Sequence, residues 1–216
     1  MIVLKKKVLG LVLGMGVMMV QVGFASPLTT FVGEDGRGIV QVEGSLGQSS
    51  LDAFVGGSGF GLDGGEGFSL SVTGGVDENS GLQYKKNYYP SSSGGSHLNI
   101  RTQEVNYLQK LPHSDAVVIV GGLRSGAAGF GGRATEDSLQ VGVTGSRVIG
   151  DNTRAYGTFM IGEKLTSYEA GVSYGVSRDM DVNASYRIGN YRGFDDGVNR
   201  LDATVKGVSV GLSLKF

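Results

Sequence analysis

The 216-residue chain has no cysteine, only two histidines, only three prolines, and no internal apolar run of the ~20 residues that a membrane-spanning helix needs. Each shortage excludes something. Without cysteine there is no disulfide, no thiolate metal site and no cysteine nucleophile. His97 and His113 have no second ligand at metal-binding spacing, so neither a metal nor a cofactor is expected. Gly121-Gly122 and Gly131-Gly132 are not followed by the GxxxxGK[ST] spacing of a phosphate loop. Acids outnumber bases by 20 to 19 and no basic stretch is interleaved with aromatics, so nucleic acid is not a partner. Three prolines against 39 glycines point to strands and turns rather than disorder, in one domain or two small ones.

What the chain does have is alternation. From Tyr168 the even positions read Tyr168, Ala170, Val172, Tyr174 and Val176, against Glu169, Gly171, Ser173, Gly175 and Ser177. The pattern resumes as Met180, Val182, Ala184, Tyr186 and Ile188, and the chain ends on Val208, Val210, Leu212, Leu214 and Phe216. A period of two is a β-strand with one apolar face. The opposite face is glycine, serine and a few full charges, too small and too wet for the inside of a soluble sandwich. Turning the apolar face to lipid and the polar face to a lumen accounts for both, and predicts an all-β fold, a closed antiparallel up-and-down transmembrane barrel. The mean hydropathy of +0.01 fits, because only every second strand residue meets lipid.

Residues 1–25 read as a cleaved signal peptide. Lys5, Lys6 and Lys7 precede an apolar stretch that ends on Gly23-Phe24-Ala25, a small-x-small cleavage site. Its removal would take the formal charge from −1 to −4. Residues 26–37 then form a periplasmic lead-in and 38–216 the barrel. Compact turns are expected near Asn79, His113, Asp151 and Asp179, and longer outer loops over 47–67, 90–96, 125–137, 163–166 and 191–200. Four turns and five loops join ten strands, with eight as the alternative if 68–89 is an extracellular excursion. Two parity changes call for bulges, one near Gln103-Glu104 and one at Lys206-Gly207. Tyr88, Tyr89, Tyr168, Tyr191 and Phe216 suit interface girdles.

On this assignment Glu43, Arg101, Arg124, Arg154, Glu169, Asp181 and Arg187 all have lumen parity and form a mixed-charge network in a narrow or closed pore. The outward residues of 168–176 and 180–188 are all even-numbered, so the turn between them has an odd length. A turn over 177–179 places Glu169 opposite Arg187, and one over 178–180 makes them diagonal neighbours. A hydrated pair of this kind contributes only ~0–1 kcal/mol.

Ser209-x-Gly211-x-x-Leu214-x-Phe216 resembles the C-terminal signal read by the outer-membrane assembly machinery, departing at Leu214, where an aromatic is usual. By this signal and the strand pattern, residues 38–216 resemble the OmpX-like, OmpW-like and opacity-type barrels. The resemblance implies a diderm outer membrane, with its lipid and lipopolysaccharide and the assembly machinery as partners. It implies a structural or porin-like role passing at most small solutes. A surface-binding barrel, with a ligand held by the loops at 47–67 and 125–137, is the second expectation. Omptin-like surface proteases, also ten-stranded, pair acids with an Asp-His pair at the outer rim. Asp195, Asp196 and His97 could be imagined in such roles here, but no Asp adjoins His97 and the catalytic pairs do not line up with this sequence, so no enzyme is expected.

Overall fold

The computed structural model describes residues 30–33, 36–56, 58–93, 96–129, 132–195 and 200–216, and the signal peptide expected over 1–25 lies outside them. Among the described residues there are eleven β segments and no helix: β1 (Val40–Val55), β2 (Ser58–Leu62), β3 (Glu66–Gly75), β4 (Ser80–Ser93), β5 (Ser96–Lys110), β6 (Ala116–Gly129), β7 (Gly132–Gly150), β8 (Thr153–Gly162), β9 (Leu165–Ser177), β10 (Met180–Asp195) and β11 (Arg200–Lys215). From β3 to β11 each segment pairs antiparallel with the next, and β1 pairs with β11 from Gln41↔Lys215 to Val55↔Leu201, which closes the sheet.

The wall has ten strands, because β2 and β3 are two halves of one. Along β1, residues Val40 to Gln48 pair with β3 and Leu51 to Val55 with β2. The register moves by one residue between the halves, as in a bulge. The joint is held to β4 by the Gly64↔Ser91 bridge and by Gly65 N donating to Pro90 O at 3.0 Å. A side chain at Gly64 would collide with the Ser49 carbonyl, so the joint requires glycine there.

The barrel is apolar outside and polar inside. In β3, Phe68, Leu70 and Val72 are exposed while Ser69, Ser71 and Thr73 are buried, and β10 alternates in the same sense. Lipid offers no hydrogen bonds, so a closed ladder that satisfies its own backbone is one of the two structures that can span it.

The segments are longer than a membrane needs. A tilted spanning strand takes ~9–11 residues, whereas β1 and β10 have 16 and β7 has 19. Compact turns at 76–79, 111–115, 151–152 and 178–179 lie at the end that carries Val40 and Phe216. The excess length is therefore at the other, outer end. The loops expected over 47–67, 90–96, 125–137 and 191–200 are mostly strand, since β1, β4 to β7, β10 and β11 continue through them.

This extension removes both expected bulges. The β4–β5 register runs unbroken from Ser80↔Gln109 to Ser93↔Ser96, and the β1–β11 register is equally continuous. Leu98, Ile100, Ala203 and Val205 keep their strand's inward parity and are apolar because the outer part of the lumen is itself apolar. The irregularity near that end lies instead in β10, between Tyr191 and Phe194, where Gly193 has a φ of 69°. Tyr89 and Tyr191 also point inward and are buried, so they belong to no interface girdle. Tyr168 and Phe216 do face outward.

Candidate functional site: the barrel interior

The interior has three levels. At the outer end Leu51, Leu62, Leu98, Ile100, Tyr191 and Phe194 are packed into one buried apolar cluster that also holds Tyr89 and Val205. Towards the terminus-bearing end Phe31, Leu108, Val117, Ile119 and Met160 form a second, with Ile39 against it. Phe31 comes from the lead-in segment and is fully buried. Ile39 N donates to its carbonyl at 2.8 Å, and its ring lies where a Gly81 side chain would be, 2.8 Å from that position.

Between the clusters runs a polar belt. Arg187 of β10 reaches across to Glu104 of β5, with Nη2 to Oε1 at 3.8 Å, and Glu169 of β9 reaches Lys85 of β4 at 3.7 Å. In ring order each pair joins diametrically opposed strands. Glu104 also accepts from Asn87 Nδ2 at 3.2 Å and Gln140 Nε2 at 3.0 Å. Asn87 in turn donates to Thr102 Oγ1 and accepts from Ser69 Oγ. Tyr156 OH donates to Glu169 at 3.4 Å, and Glu43 accepts from Ser71 Oγ at 2.7 Å and from Gln41. Buried charges persist when their remaining lone pairs are hydrogen-bonded, which is the condition met around Glu104.

The structure separates the seven charged residues read as luminal. Glu43, Arg154, Glu169, Asp181 and Arg187 lie on inward rows, and Asp181 accepts from Lys215 Nζ at 2.7 Å near the turn. Glu169 is directly opposite Arg187 in the β9–β10 register. The turn itself is two residues, Arg178-Asp179, and an irregularity at Met180/Asp181 supplies the odd residue that the parity demands. Arg101 and Arg124 are corrections, because both face outward. Arg101 follows from the unbroken β5. In β6 the continuous apolar run is shared between the faces, with Val117, Ile119 and Leu123 inward, so Arg124 has outward parity. It forms a fork with Asp137 on the surface, both bonds at 2.8 Å.

Sequence reasoning missed Lys85, Asn87, Glu104, Gln140 and Tyr156. The signal for Lys85 and Asn87 was the outward run Leu82, Tyr84, Tyr88, and Glu104 would have followed had no bulge been placed in β5. The pair Glu104–Arg187 is buried, at 4% and 10% side-chain exposure, so the hydrated pair expected at Arg187 does not describe it. The proposed C-terminal signal has Ser209 and Gly211 on the inner row and Leu214 and Phe216 on the outer, with Phe216 and Val40 exchanging backbone bonds at 2.9 and 3.0 Å.

A closed ten-strand barrel with an apolar exterior and a filled lumen is a transmembrane barrel of the outer-membrane class. Neither a protein-family model nor any curated protein sequence matches the chain. Among solved structures it is similar to the outer membrane protease OmpT of Escherichia coli, with a TM-score of 0.64 at 10% identity over 82% of this chain and 97% of that one. Neisserial surface protein A aligns with a TM-score of 0.43 at 13% identity over 83% and 100%, and Ail, the attachment invasion locus protein of Yersinia pestis, with 0.41 at 11% over 82% and 98%. At such identities the likeness to OmpT is one of fold.

Proposed function

We propose that the protein is a structural barrel of the outer membrane that passes at most small solutes. The observation that carries this reading is the lumen occupied at three levels, by two apolar clusters and the polar belt between them. Cleavage near Ser26 and recognition of Phe216 by the assembly machinery belong to the same proposal. The absence of enzymatic activity is part of it too. His97 faces outward on β5, whereas Asp195 ends β10 on the diametrically opposed side of the ring, and Asp196 lies outside the described residues. Single-channel recording in planar bilayers tests the reading. Rare, small openings are expected, and a large steady conductance would overturn it.

A second reading, surface binding, is favoured by the strands that overrun the apolar band. The β1–β2 hairpin exposes Phe54 and Phe60 at 51% and 45%, and a cell-binding assay with 56–61 replaced by a short turn would test it.

A further inference from the structure

We propose that the outward faces of β4 to β7 form a binding site for the phosphate groups of the glycolipid in the outer leaflet. The proposal rests on outer-membrane residence and is independent of whether the lumen conducts.

Successive rungs across these strands show where the apolar band stops. One rung reads Val72, Tyr84, Val105, Gly122 and Leu139. The next towards the outer end reads Leu70, Lys86, Gln103, Arg124 and Asp137, and the one beyond it Phe68, Tyr88, Arg101, Gly126 and Thr135. Arg133 follows one rung further out, in line with Asn99 and Ala128. On β4 to β7 the cations therefore begin where the apolar rows end, the level that lipid headgroups would occupy in the proposed site.

Neighbouring strands are ~4.8 Å apart, which puts Lys86 and Arg124 about 10 Å from each other with Arg101 between them and one rung out. Side chains of this length can converge on one phosphate or span two. The Arg101 guanidinium lies over the Tyr88 ring at 5.2 Å, and Tyr88 OH donates to Asn99 at 3.3 Å, so the cation is held against the wall. Arg124 gives Nε and Nη2 to Asp137, which orients the guanidinium and leaves three N–H donors, two of them on Nη1. Gly126, on the rung beyond Arg124, helps leave a hollow lined by Phe68, Lys86, Tyr88, Arg101 and Arg124. Among the described residues Lys86, Arg101 and Arg133 make no ion pair. Elsewhere on the outward surface Lys206 is paired with Asp52 at 2.9 Å, and its rung, Ile188, Lys206 and Ser50, holds no second cation. Guanidinium and ammonium groups gathered at an apolar boundary suit phosphate esters, with charge-assisted bonds in a partly dehydrated layer.

The test uses the full folded chain and native mass spectrometry of lipid retained from mixed micelles. The probes are a bisphosphorylated outer-leaflet glycolipid, the same lipid enzymatically dephosphorylated, and inorganic phosphate. Wild type should retain the phosphorylated lipid about tenfold better than the dephosphorylated one, the scale of one charge-assisted contact. Inorganic phosphate at millimolar concentration should not displace it. The combined Lys86→Ala, Arg101→Ala, Arg124→Ala variant should bind both lipids alike, while Lys206→Ala keeps the wild-type preference. Equal retention of both lipids by wild type, full displacement by inorganic phosphate, or an unchanged preference in the triple variant would each overturn the site. The first two outcomes need no variant, so a folding defect in the triple substitution leaves the test intact. Fractionation of cells reports on residence separately.

Discussion

Glu169 is directly opposite Arg187 in the β9–β10 ladder, yet their ion pairs lie across the lumen, Glu169 with Lys85 at 3.7 Å and Arg187 with Glu104 at 3.8 Å. Double-mutant cycles should therefore give coupling of about 0.5–3 kcal/mol for Arg187 with Glu104. The coupling of Arg187 with Glu169 should be smaller. Removing Arg187 alone leaves Glu104 buried without its cation, at a cost of about 3–5 kcal/mol in urea unfolding from bilayers. A larger coupling within the β9–β10 rung than across the barrel would contradict this account of the belt.

Conductance should respond to the levels of the lumen in order. Glu169→Ala with Arg187→Ala thins only the belt, and the apolar clusters above and below it remain. Adding Phe31→Ala and Tyr191→Ala removes one large aromatic ring from each cluster. Planar bilayer recordings should show a small gain for the first pair and a much larger one for all four.

The two tightest approaches to a glycine are at Gly64 and Gly75, and two other glycines serve as controls. At Gly64 a Cβ would meet the Ser49 carbonyl, and at Gly75 the Phe31 carbonyl, whereas at Gly44 and Gly74 nothing lies within 4 Å. Gly64→Ala should destabilise the barrel by a few kcal/mol, in the range of overpacking and backbone displacement. Gly75→Ala should release the lead-in, so that trypsin cuts at Arg37 in otherwise folded protein. Gly44→Ala and Gly74→Ala should leave both readouts unchanged.

Asp77 lies in the turn after β3, outside the spanning part. Its carboxylate accepts from Ser80 Oγ at 2.6 Å and Asn79 N at 2.8 Å, and the serine bond, followed by the backbone one, holds its pKa below the ordinary aspartate value. A depressed folded pKa means the contribution is present above the unfolded value, ~3.9, and is lost as pH falls through the folded one. NMR titration of Asp77 should give a midpoint below that of Asp77 in Ser80→Ala, and equal midpoints would refute the bond.

The C-terminal signal can be separated from the hydrogen bonds of closure. Phe216→Ala keeps both backbone bonds to Val40. It should slow insertion in cells while leaving refolding into detergent near the wild-type rate. A parallel slowing of both would make the ring a packing element instead.

Periodicity revealed the barrel because a two-residue period survives wherever lipid and lumen differ in polarity. It misled where they do not. At the outer end Leu98, Ile100, Ala203 and Val205 are inward and apolar, so the reversal looked like a bulge when it marked the top of the apolar band. In β6 both faces are apolar along Val117 to Val120, and the parity that would have turned Arg124 outward was hidden. The partners of Glu169 and Arg187 lie on strands far along the chain, and no local pattern encodes which of them meet. Phe31 falls in a segment with no alternation, so nothing local indicated that it would close one mouth.

Val40 and Phe216 share a rung, so the beginning and the end of the wall are side by side. The seam joins the two ends of the wall across the longest chain separation in the sheet, since Gln41 pairs with Lys215. An unsealed sheet would hold two unsatisfied edges in hydrocarbon. Sealing is thus the step that pays the entropy of bringing distant chain segments together. The same adjacency makes the wall from 40 to 216 a circle in all but one short link. A short linker from 216 to 40, with new termini opened at 163–164, should give a permuted barrel with the same rungs and a different seam.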